Sequence, residues 1–598
     1  MRQRKNWVLA FSLLLTLGQS SLLNAQQSPN IVLILADDLG FSDLASYGSE
    51  IQTPNISALA EQGISFTNYH TGANCAPSRA MLLTGVDSHR TGVPNIPEMI
   101  PPEQAAQSHY SGILGHNVVT VATLLQDAGY HTYLSGKWHL GQAPEKLPSS
   151  RGFERTVTLA DSGADNWEQK PYLPIYKKAN WYADGEEYQL PDDFYSSRFL
   201  IDKTIEFIDS NRTDDQPFFA YVPFQAVHIP VQAPQEFIDR YEDVYSDGWT
   251  VLREQRQARV IELGVVPADT PMVQMASTED WEALGPERQA YEAKRMAVYG
   301  AMVEAMDHHI GRLVEYLKAI GQYDNTVFIF SSDNGAEAMG EPEQNSWSNR
   351  RAMASQGYNT DYETLGLKGS FNAINPGFSS AAASPLAYYK FYVGEGGLRV
   401  PMIIAGEPVA IKNQLSNASA YVTDITPTIL ALAGTQHPHA RNKGWYGGRK
   451  IEPMIGRSLM PLVEGSSEAV YGPEDAVGFE LAGHAALFMG DYKIVFNRGT
   501  QGDSQWHLFN IQIDPGETTD LSAENPLQLQ RMLRHYQQYV ADNNVLLVAD
   551  NYRHEIQVIL NALHHVYRDN ILIFILLLLL ILPFWVVYQS KRKLKRAK

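Results

Sequence analysis

The chain has 598 residues, of which 44% are hydrophobic and 11% aromatic, a composition that supports a large packed core. Chains of this length usually divide into domains, so we expect one large domain and a smaller one. The formal net charge is -19 at pH 7, which argues against the basic face that nonspecific binding to nucleic acid requires. We therefore predict no nucleic-acid partner.

The N-terminal end has the layout of a secretory signal peptide. A basic start leads into an apolar run from Trp7 to Leu17, and a small residue, Ala25, stands where a cut would fall. We predict a signal peptide at 1–25, with an uncleaved anchor as the alternative. Both alternatives place the following domain outside the cytoplasm.

The C-terminal end carries a second apolar segment. Residues 571–588 contain no charged side chain, which is close to the minimum length of a spanning helix and predicts a transmembrane helix at 570–589. The tail at 590–598 is rich in Lys and Arg, which is typical of the cytoplasmic side. The sequence thus predicts a periplasmic protein that a C-terminal helix anchors to the inner membrane.

Short apolar runs alternate with helical patterns through the first three quarters of the chain. The alternation predicts an α/β catalytic domain at 28–435 with a mainly parallel sheet. The predicted strands are Ile31–Leu35, Tyr130–Ser135, Phe218–Val222 and Val327–Phe330, and the predicted helices are Thr53–Ala60, Ser78–Leu83, Val118–Ala128, Glu292–Leu317 and Asp424–Ala433.

The remaining sequence favours a smaller α+β subdomain at 436–547. Its predicted elements are three strands, Ala486–Met489, Lys493–Phe496 and Trp506–Phe509, followed by a helix, Leu527–Val540. Apolar residues then recur at helical spacing toward the apolar segment, which predicts a stalk helix at 548–569.

Polar residues follow the predicted strands repeatedly. In parallel sheets, ligand-binding residues gather at the carboxyl ends of the strands, so these residues are candidates for one site. They are Asp37, Asp38, Lys137, His139, His228, Asp333 and Asn334. The acidic and amide groups among them suit calcium or magnesium rather than zinc. The simpler interpretations are a helix cap for Asp37 and Asp38 and a turn before Gly335 for the last pair.

Cys75 is the only cysteine, so the chain contains no intramolecular disulfide. A lone cysteine is most often a small buried hydrophobe, but its surroundings favour another interpretation. The segment from Cys75 to Arg79 reads Cys-Ala-Pro-Ser-Arg, and Leu-Leu-Thr-Gly follows and ends at Gly85. This segment resembles the signature of the formylglycine-dependent, type I sulfatase family.

Further landmarks of that family follow in the same order. The resemblance extends from about Pro29 to Val545, and it is greatest to the long bacterial arylsulfatases of the pseudomonad type. It implies an alkaline-phosphatase-like fold, with a central mixed sheet sandwiched by helices. The matching segments begin at Asp37, Gly136, Pro217, Ser332, Glu395 and Asp514.

The resemblance implies how a sulfate ester is cut. A maturation enzyme converts Cys75 to formylglycine, whose hydrate attacks sulfur with one hydroxyl and releases sulfate when the other collapses to the aldehyde. Arg79 holds the hydrate, and His139 deprotonates it during the collapse. The bound cation, predicted to be calcium with magnesium as the alternative, is held by Asp37, Asp38, Asp333, Asn334 and residue 75.

The same resemblance assigns the groups that hold the substrate. Lys137 and Lys390 match the lysines that bind the sulfate group, with Lys368 as a weaker competitor for the second position. His228 matches the general acid that protonates the leaving oxygen.

The predicted function is therefore hydrolysis of sulfate monoesters by a sulfuric ester hydrolase. The alternative within the same superfamily is a phosphate or phosphonate monoester hydrolase. A second alternative is a membrane-tethered protein that binds sulfated glycans without turnover, which requires that Cys75 remain a thiol.

Overall fold

The computed structural model describes residues 28–173, 175–214, 216–338, 340, 346–499, 501–554 and 556–564. The predicted signal peptide at 1–25, transmembrane helix at 570–589 and basic tail at 590–598 lie outside these residues. Within the described ranges, no helix is both long enough and apolar enough to cross a membrane.

The strands belong to one large sheet, two small ribbons and a second sheet of four strands. In chain order they are β1 Asn30–Ala36, β2 Gly63–Phe66, β3 Tyr69–His70, β4 His131–Lys137, β5 Arg155–Leu159, β6 Trp181–Ala183, β7 Glu186–Glu187, β8 Phe218–Pro223, β9 Thr326–Ser332, β10 Met402–Ala405, β11 Gln414–Ser416, β12 Ala420–Tyr421, β13 Trp445–Tyr446, β14 Arg449–Lys450, β15 Ala476–Leu481, β16 His484–Met489, β17 Tyr492–Phe496 and β18 Trp506–Asn510.

The helices flank these sheets. In chain order they are α1 Pro54–Glu61, α2 Cys75–Thr84, α3 Ser88–Thr91, α4 Pro102–Ala105, α5 Val121–Asp127, α6 Ser196–Ser210, α7 Gln235–Ile238, α8 Gly248–Glu262, α9 Pro286–Ala319, α10 Trp347–Ser355, α11 Pro376–Ala382, α12 Glu395–Leu398, α13 Ile425–Leu432, α14 Pro438–Asn442, α15 Met460–Val463 and α16 Pro526–Asn543. Residues 556–564 are also helical.

The large sheet has ten strands in the order β11-β2-β10-β9-β1-β8-β4-β5-β6-β7. Strand β1 lies near its middle and pairs in parallel with both β8 and β9. Because β10 and β6 run antiparallel to their neighbours, the sheet is mixed, as the resemblance implied.

Helices cover both faces of the large sheet, and β1 shows why its sequence is apolar throughout. All seven of its residues are buried, and alternate side chains enter different cores. Val32 and Ile34 pack with α6, α8 and α9, whereas Ile31 and Leu33 pack with α2, α5 and α13. The predicted α/β fold with a sandwiched mixed sheet is confirmed.

The four-stranded antiparallel sheet β15–β18 packs between the main body and α16. Phe479 and Phe488 on one face join the core that contains α2, and Leu487 and Ile494 on the other pack against Met532 of α16. The three strands predicted in this part of the sequence fall within β16, β17 and β18.

Several element boundaries differ from the prediction, and three of them concern the site or the C-terminal segment. Helix α2 begins at Cys75, three residues before the predicted start, and β4 continues to Lys137 instead of ending at Ser135. Residues 548–553, predicted as the start of the stalk helix, are not helical. This segment instead lies against the loop at 92–101, called the N-terminal loop below, where the Tyr552 hydroxyl donates to the carbonyl of Met99 at 2.7 Å.

Candidate active site

The acidic residues predicted to bind metal converge where β1 and β9 end. The backbone N–H of Asp38 donates to Asp333 Oδ1 at 3.2 Å, and Asn334 Nδ2 donates to Asp38 Oδ1 at 2.7 Å. Ligand atoms of Asp37, Asp38, Asp333 and Cys75 all lie within 4.8 Å of one another. Two strands that pair in parallel thus carry four of the predicted ligands to one edge of the sheet.

These groups fit a hard divalent cation. Asp37 Oδ1 and Asn334 Oδ1 are buried and have no hydrogen-bond partner among the described residues, which leaves two oxygens available as ligands. Burial, together with the negative charges of Asp333 and Asp38, raises the pKa of Asp37 to about 7 even though Lys137 and Arg79 oppose the shift. A bound cation would offset this concentration of buried negative charge.

Helix α2 brings Cys75 to the acidic residues. The Asn74 side chain caps the helix by accepting the N–H of Cys75 at 2.7 Å, and Gly85 ends it in a left-handed conformation with φ 68°. Cys75 Sγ lies 3.8 Å from Asp38 Oδ1, and burial raises the pKa of the thiol well above its ordinary value. The first turn of a helix favours negative charge, so this position suits an anionic group.

Arg79 follows Cys75 by one turn and therefore lies on the same face of α2. Its Nε donates to Asp333 Oδ2 at 2.8 Å, and its Nη1 donates to the carbonyl of Lys137 at 2.8 Å. Burial alone would lower the pKa of the guanidinium, but Asp333 and Asp37 outweigh it and raise the pKa. Arg79 is thus a permanent cation that links α2 to β4 and to the acidic residues.

The two predicted sulfate-binding lysines lie on either side of the acidic pair. Lys137 Nζ donates to Asp37 Oδ2 at 2.6 Å, and Lys390 Nζ donates to Asp38 Oδ2 at 2.8 Å. Burial disfavours the charge on Lys390, but Asp38 and the other acidic groups around it raise its pKa. The competitor Lys368 is 57% exposed and pairs with Glu168, so it lies outside this site.

The two predicted histidines also lie at this edge. Both ring nitrogens of His139 are buried without a hydrogen-bond partner among the described residues, and its backbone has φ 57°, an unusual conformation for a residue other than glycine. His228 Nδ1 lies 2.7 Å from the carbonyl of Ile229, so Nδ1 carries a proton and Nε2 is the atom that lies 3.7 Å from Asp38 Oδ2. Burial and the nearby cations lower the pKa of both rings.

Two residues of the site were missed by the sequence analysis. Glu337 Oε2 lies 3.0 Å from Lys390 Nζ and gives this lysine a second carboxylate contact besides Asp38. Tyr172 packs its ring edge-on against His228, with 5.4 Å between ring centroids. The position of Glu337 three residues after Asn334 was the only available signal, and Tyr172 lies in a loop with no recognisable pattern.

Comparison with known proteins agrees with this geometry. The sulfatase family model matches residues 29–435. An uncharacterized sulfatase of Schizosaccharomyces pombe is 35% identical over 541 residues, which cover 88% of this chain and 96% of that protein. An arylsulfatase of Klebsiella aerogenes is 35% identical over 440 residues, which cover 73% of this chain and 92% of the relative.

The fold is similar to solved structures over nearly the whole chain. The crystal structure of Ps i-CgsB in complex with k-i-k-neocarrahexaose is 25% identical, with a TM-score of 0.61 over 90% of this chain and 98% of that one. The sulfatase family uses a metal ion and formylglycine. The acidic groups of the site fit the metal ion, and Cys75 beside them fits the formylglycine. The protein is therefore a sulfuric ester hydrolase that acts on sulfate monoesters. The chain belongs to the sulfatase family.

Proposed function

We propose that the chain hydrolyses sulfate monoesters with formylglycine at position 75 and calcium held by the surrounding oxygen ligands. The observation that carries the proposal is the convergence of Cys75, the acidic residues and two buried lysines at one edge of the sheet. The proposed ligands are Asp37, Asp38, Asp333, Asn334 and residue 75.

A cation held by these residues would supply polarisation of the sulfuryl oxygens, and formylglycine at position 75 would supply a nucleophilic hydroxyl and a second hydroxyl for the release of sulfate. Calcium is proposed because three carboxylates and an amide oxygen offer the numerous oxygen ligands that this ion accepts. Magnesium, which requires a stricter octahedron, is the alternative. Arg79, through its contacts with Asp333 and Lys137, holds the ligands in place.

Lys137 and Lys390 are proposed to bind the sulfuryl oxygens. Each ammonium group contacts a different carboxylate of the proposed ion site, so both are fixed before substrate arrives. Negative charge spreads over the sulfuryl oxygens as the ester bond breaks, and preorganised cations stabilise that charge without rearranging.

The two histidines are proposed to transfer protons at two different groups, the hydroxyl of residue 75 and the leaving oxygen of the ester. His139, whose ring nitrogens have no partner among the described residues, accepts a proton from the hydroxyl of residue 75. His228 donates from Nε2 to the leaving oxygen. Burial, together with the cations Lys137 and Lys390, lowers the pKa of His228, and the negative charge of a bound sulfate ester opposes this shift.

The direct test compares matched sulfate, phosphate and phosphonate esters of one phenol. We expect kcat/KM to be highest for the sulfate ester and Cys75→Ala to abolish turnover. A higher kcat/KM for the phosphate or phosphonate ester would favour the alternative hydrolase. Binding of sulfated ligands without turnover, in protein whose Cys75 remains a thiol even when it is made with its maturation enzyme, would favour the glycan-binding alternative.

We propose further that the enzyme is extracytoplasmic and is anchored by the predicted helix at 570–589. The support is the sequence of the two ends of the chain, both outside the described residues. Protease added to spheroplasts is expected to release the catalytic domain. Protection of that domain until the cells are lysed would contradict the proposed topology.

A further inference from the structure

A cavity of about 390 Å³ is bordered in part by the loop that follows His139 in the chain, and its volume falls within the range of small-molecule sites. It is bordered by the N-terminal loop, by two loops that follow β4 and β5, and by the helix at 556–564. The lining residues that matter for its chemistry are Glu98, Gln142, Tyr176, Lys177, Asn180 and Asn561.

The cavity is connected to the proposed general acid by three hydroxyl groups. The Tyr176 hydroxyl lies 3.5 Å from Ser162 Oγ, which lies 3.1 Å from the Tyr172 hydroxyl. Tyr172 in turn packs against His228. His228 is proposed to protonate the leaving oxygen, so three side chains in contact link this cavity to the part of the site where the alcohol departs.

The lining suits an alcohol that carries additional hydroxyl groups. Buried Asp161 accepts from Gln142 Nε2 at 2.6 Å and from Asn180 Nδ2 at 2.8 Å. Asn180 Nδ2 also donates to the carbonyl of Lys178 at 3.3 Å, and the side-chain oxygens of Gln142 and Asn180 accept no hydrogen bond from the described residues. Glu98, whose Oε1 accepts the Tyr176 hydroxyl at 2.6 Å, adds a negatively charged wall.

The helix at 556–564 is fastened to the N-terminal loop through Asn561. Its Nδ2 donates to the carbonyls of Glu98 at 2.8 Å and Ile100 at 3.1 Å, while its Oδ1 accepts from Gln557 Nε2 at 2.8 Å. The amide is thus bonded at both ends. Helix and loop together form one side of the cavity, and the helix lies more than a hundred residues beyond the segment that the sulfatase family model matches.

The same loop also reaches the nucleophile. Met99 lies between the two carbonyls that Asn561 binds, and its sulfur accepts from Asn74 Nδ2 at 3.6 Å. Asn74 caps the catalytic helix by accepting the N–H of Cys75. The loop held by the C-terminal helix is therefore one contact away from the residue proposed to attack sulfur.

We propose that the helix at 556–564 is a wall of the active site, and that Asn561 determines which leaving alcohols fit. This inference rests on the proposed function, because it assigns the cavity to the alcohol part of the ester. The ligand class is a polyhydroxylated alcohol of about the size of one sugar ring.

The test uses the full chain with two substitutions of the same residue and two substrates. Asn561→Trp fills the cavity, and Asn561→Ala releases the loop. The substrates are a small aryl sulfate and a monosaccharide sulfate. We expect the ratio of kcat/KM for the sugar sulfate to kcat/KM for the aryl sulfate to fall roughly ten- to two-hundredfold for the Trp variant, mainly through KM. A smaller fall is expected for the Ala variant.

The control is His564→Ala, an exposed position on the same helix that should leave the ratio unchanged. Equal losses for both substrates in the Asn561 variants would show a purely structural role and overturn the inference. Thermal unfolding will show whether the Trp variant folds. If it does not, the ratio of the two kcat/KM values measured for the Ala variant decides between a role in specificity and a purely structural role. Failure of the proposed function is distinguishable, because the wild-type enzyme would then hydrolyse neither sulfate ester.

Discussion

The role proposed for His228 predicts that its removal harms poor leaving groups most. The hydrogen bond from Nδ1 to the carbonyl of Ile229 fixes the ring, so only Nε2 faces the reaction centre. General acid catalysis typically supplies roughly 100- to 10,000-fold in rate, which corresponds to about 3 to 5 kcal/mol of transition-state stabilisation. We expect His228→Ala to lose this amount on alkyl sulfates.

The loss should shrink as the leaving group improves. A phenol of low pKa departs without needing a proton, so the general acid contributes less to its barrier. Lys390→Ala should behave differently, because charge on the sulfuryl oxygens must be stabilised whichever alcohol departs. Its penalty is expected to be similar across the series.

The assay is kcat/KM against leaving-group pKa for the wild type and both variants. His309→Ala is the matched control, because His309 is also a buried histidine but lies on α9, away from the candidate site. It should leave the dependence on leaving-group pKa unchanged. Equal penalties for His228→Ala on alkyl and aryl sulfates would remove the acid role and leave His228 a binding residue.

The remaining predictions concern the ion and the charged contacts behind the site. Calcium at about 100 times its Kd should stabilise the enzyme against thermal unfolding by about 2.7 kcal/mol. Asn334→Ala should weaken this stabilisation, whereas the control Asn372→Ala, at another buried asparagine, should not. Equal stabilisation of the two variants by calcium would contradict the assignment of Asn334 as a ligand. Burial opposes the charge on His89, but hydrogen bonds to Asp87 and Glu480 raise its pKa from 6.5 to about 9. The protonated His89 ring therefore contributes roughly 3 kcal/mol to the free energy of unfolding below pH 6.5, and this contribution is lost as the pH rises through 9. Denaturant unfolding should show a smaller loss over this interval for His89→Gln, and an unchanged loss would contradict the assignment.

The sequence was most informative where burial dictates both residue type and spacing. The apolar run of β1 predicts a buried strand, and the polar residues directly after it predict Asp37 and Asp38 at the sheet edge. The same argument places Asp333 and Asn334 after β9. The fold and the acidic part of the site were therefore predictable from strand patterns, because adjacent parallel strands end at the same edge.

Other parts of the site depend on contacts between distant segments. Lys390 was assigned only through family resemblance, since it lies in a loop more than three hundred residues from Cys75. No local pattern indicated that Glu337 would bind it. The spacing of apolar residues beyond position 548 predicted a helix, but spacing does not identify the partner of a helix face. The return of Asn561 to the N-terminal loop therefore could not be predicted.

The proposed mechanism requires an oxidised residue at position 75. The direct measurement is mass spectrometry of the peptide that contains Cys75, taken from protein made with its maturation enzyme and shown to hydrolyse a sulfate ester. We expect that sulfur is replaced by the aldehyde oxygen, and that the modified fraction rises in proportion to specific activity across preparations. Full activity in a preparation whose Cys75 is entirely an unmodified thiol would contradict the proposed mechanism.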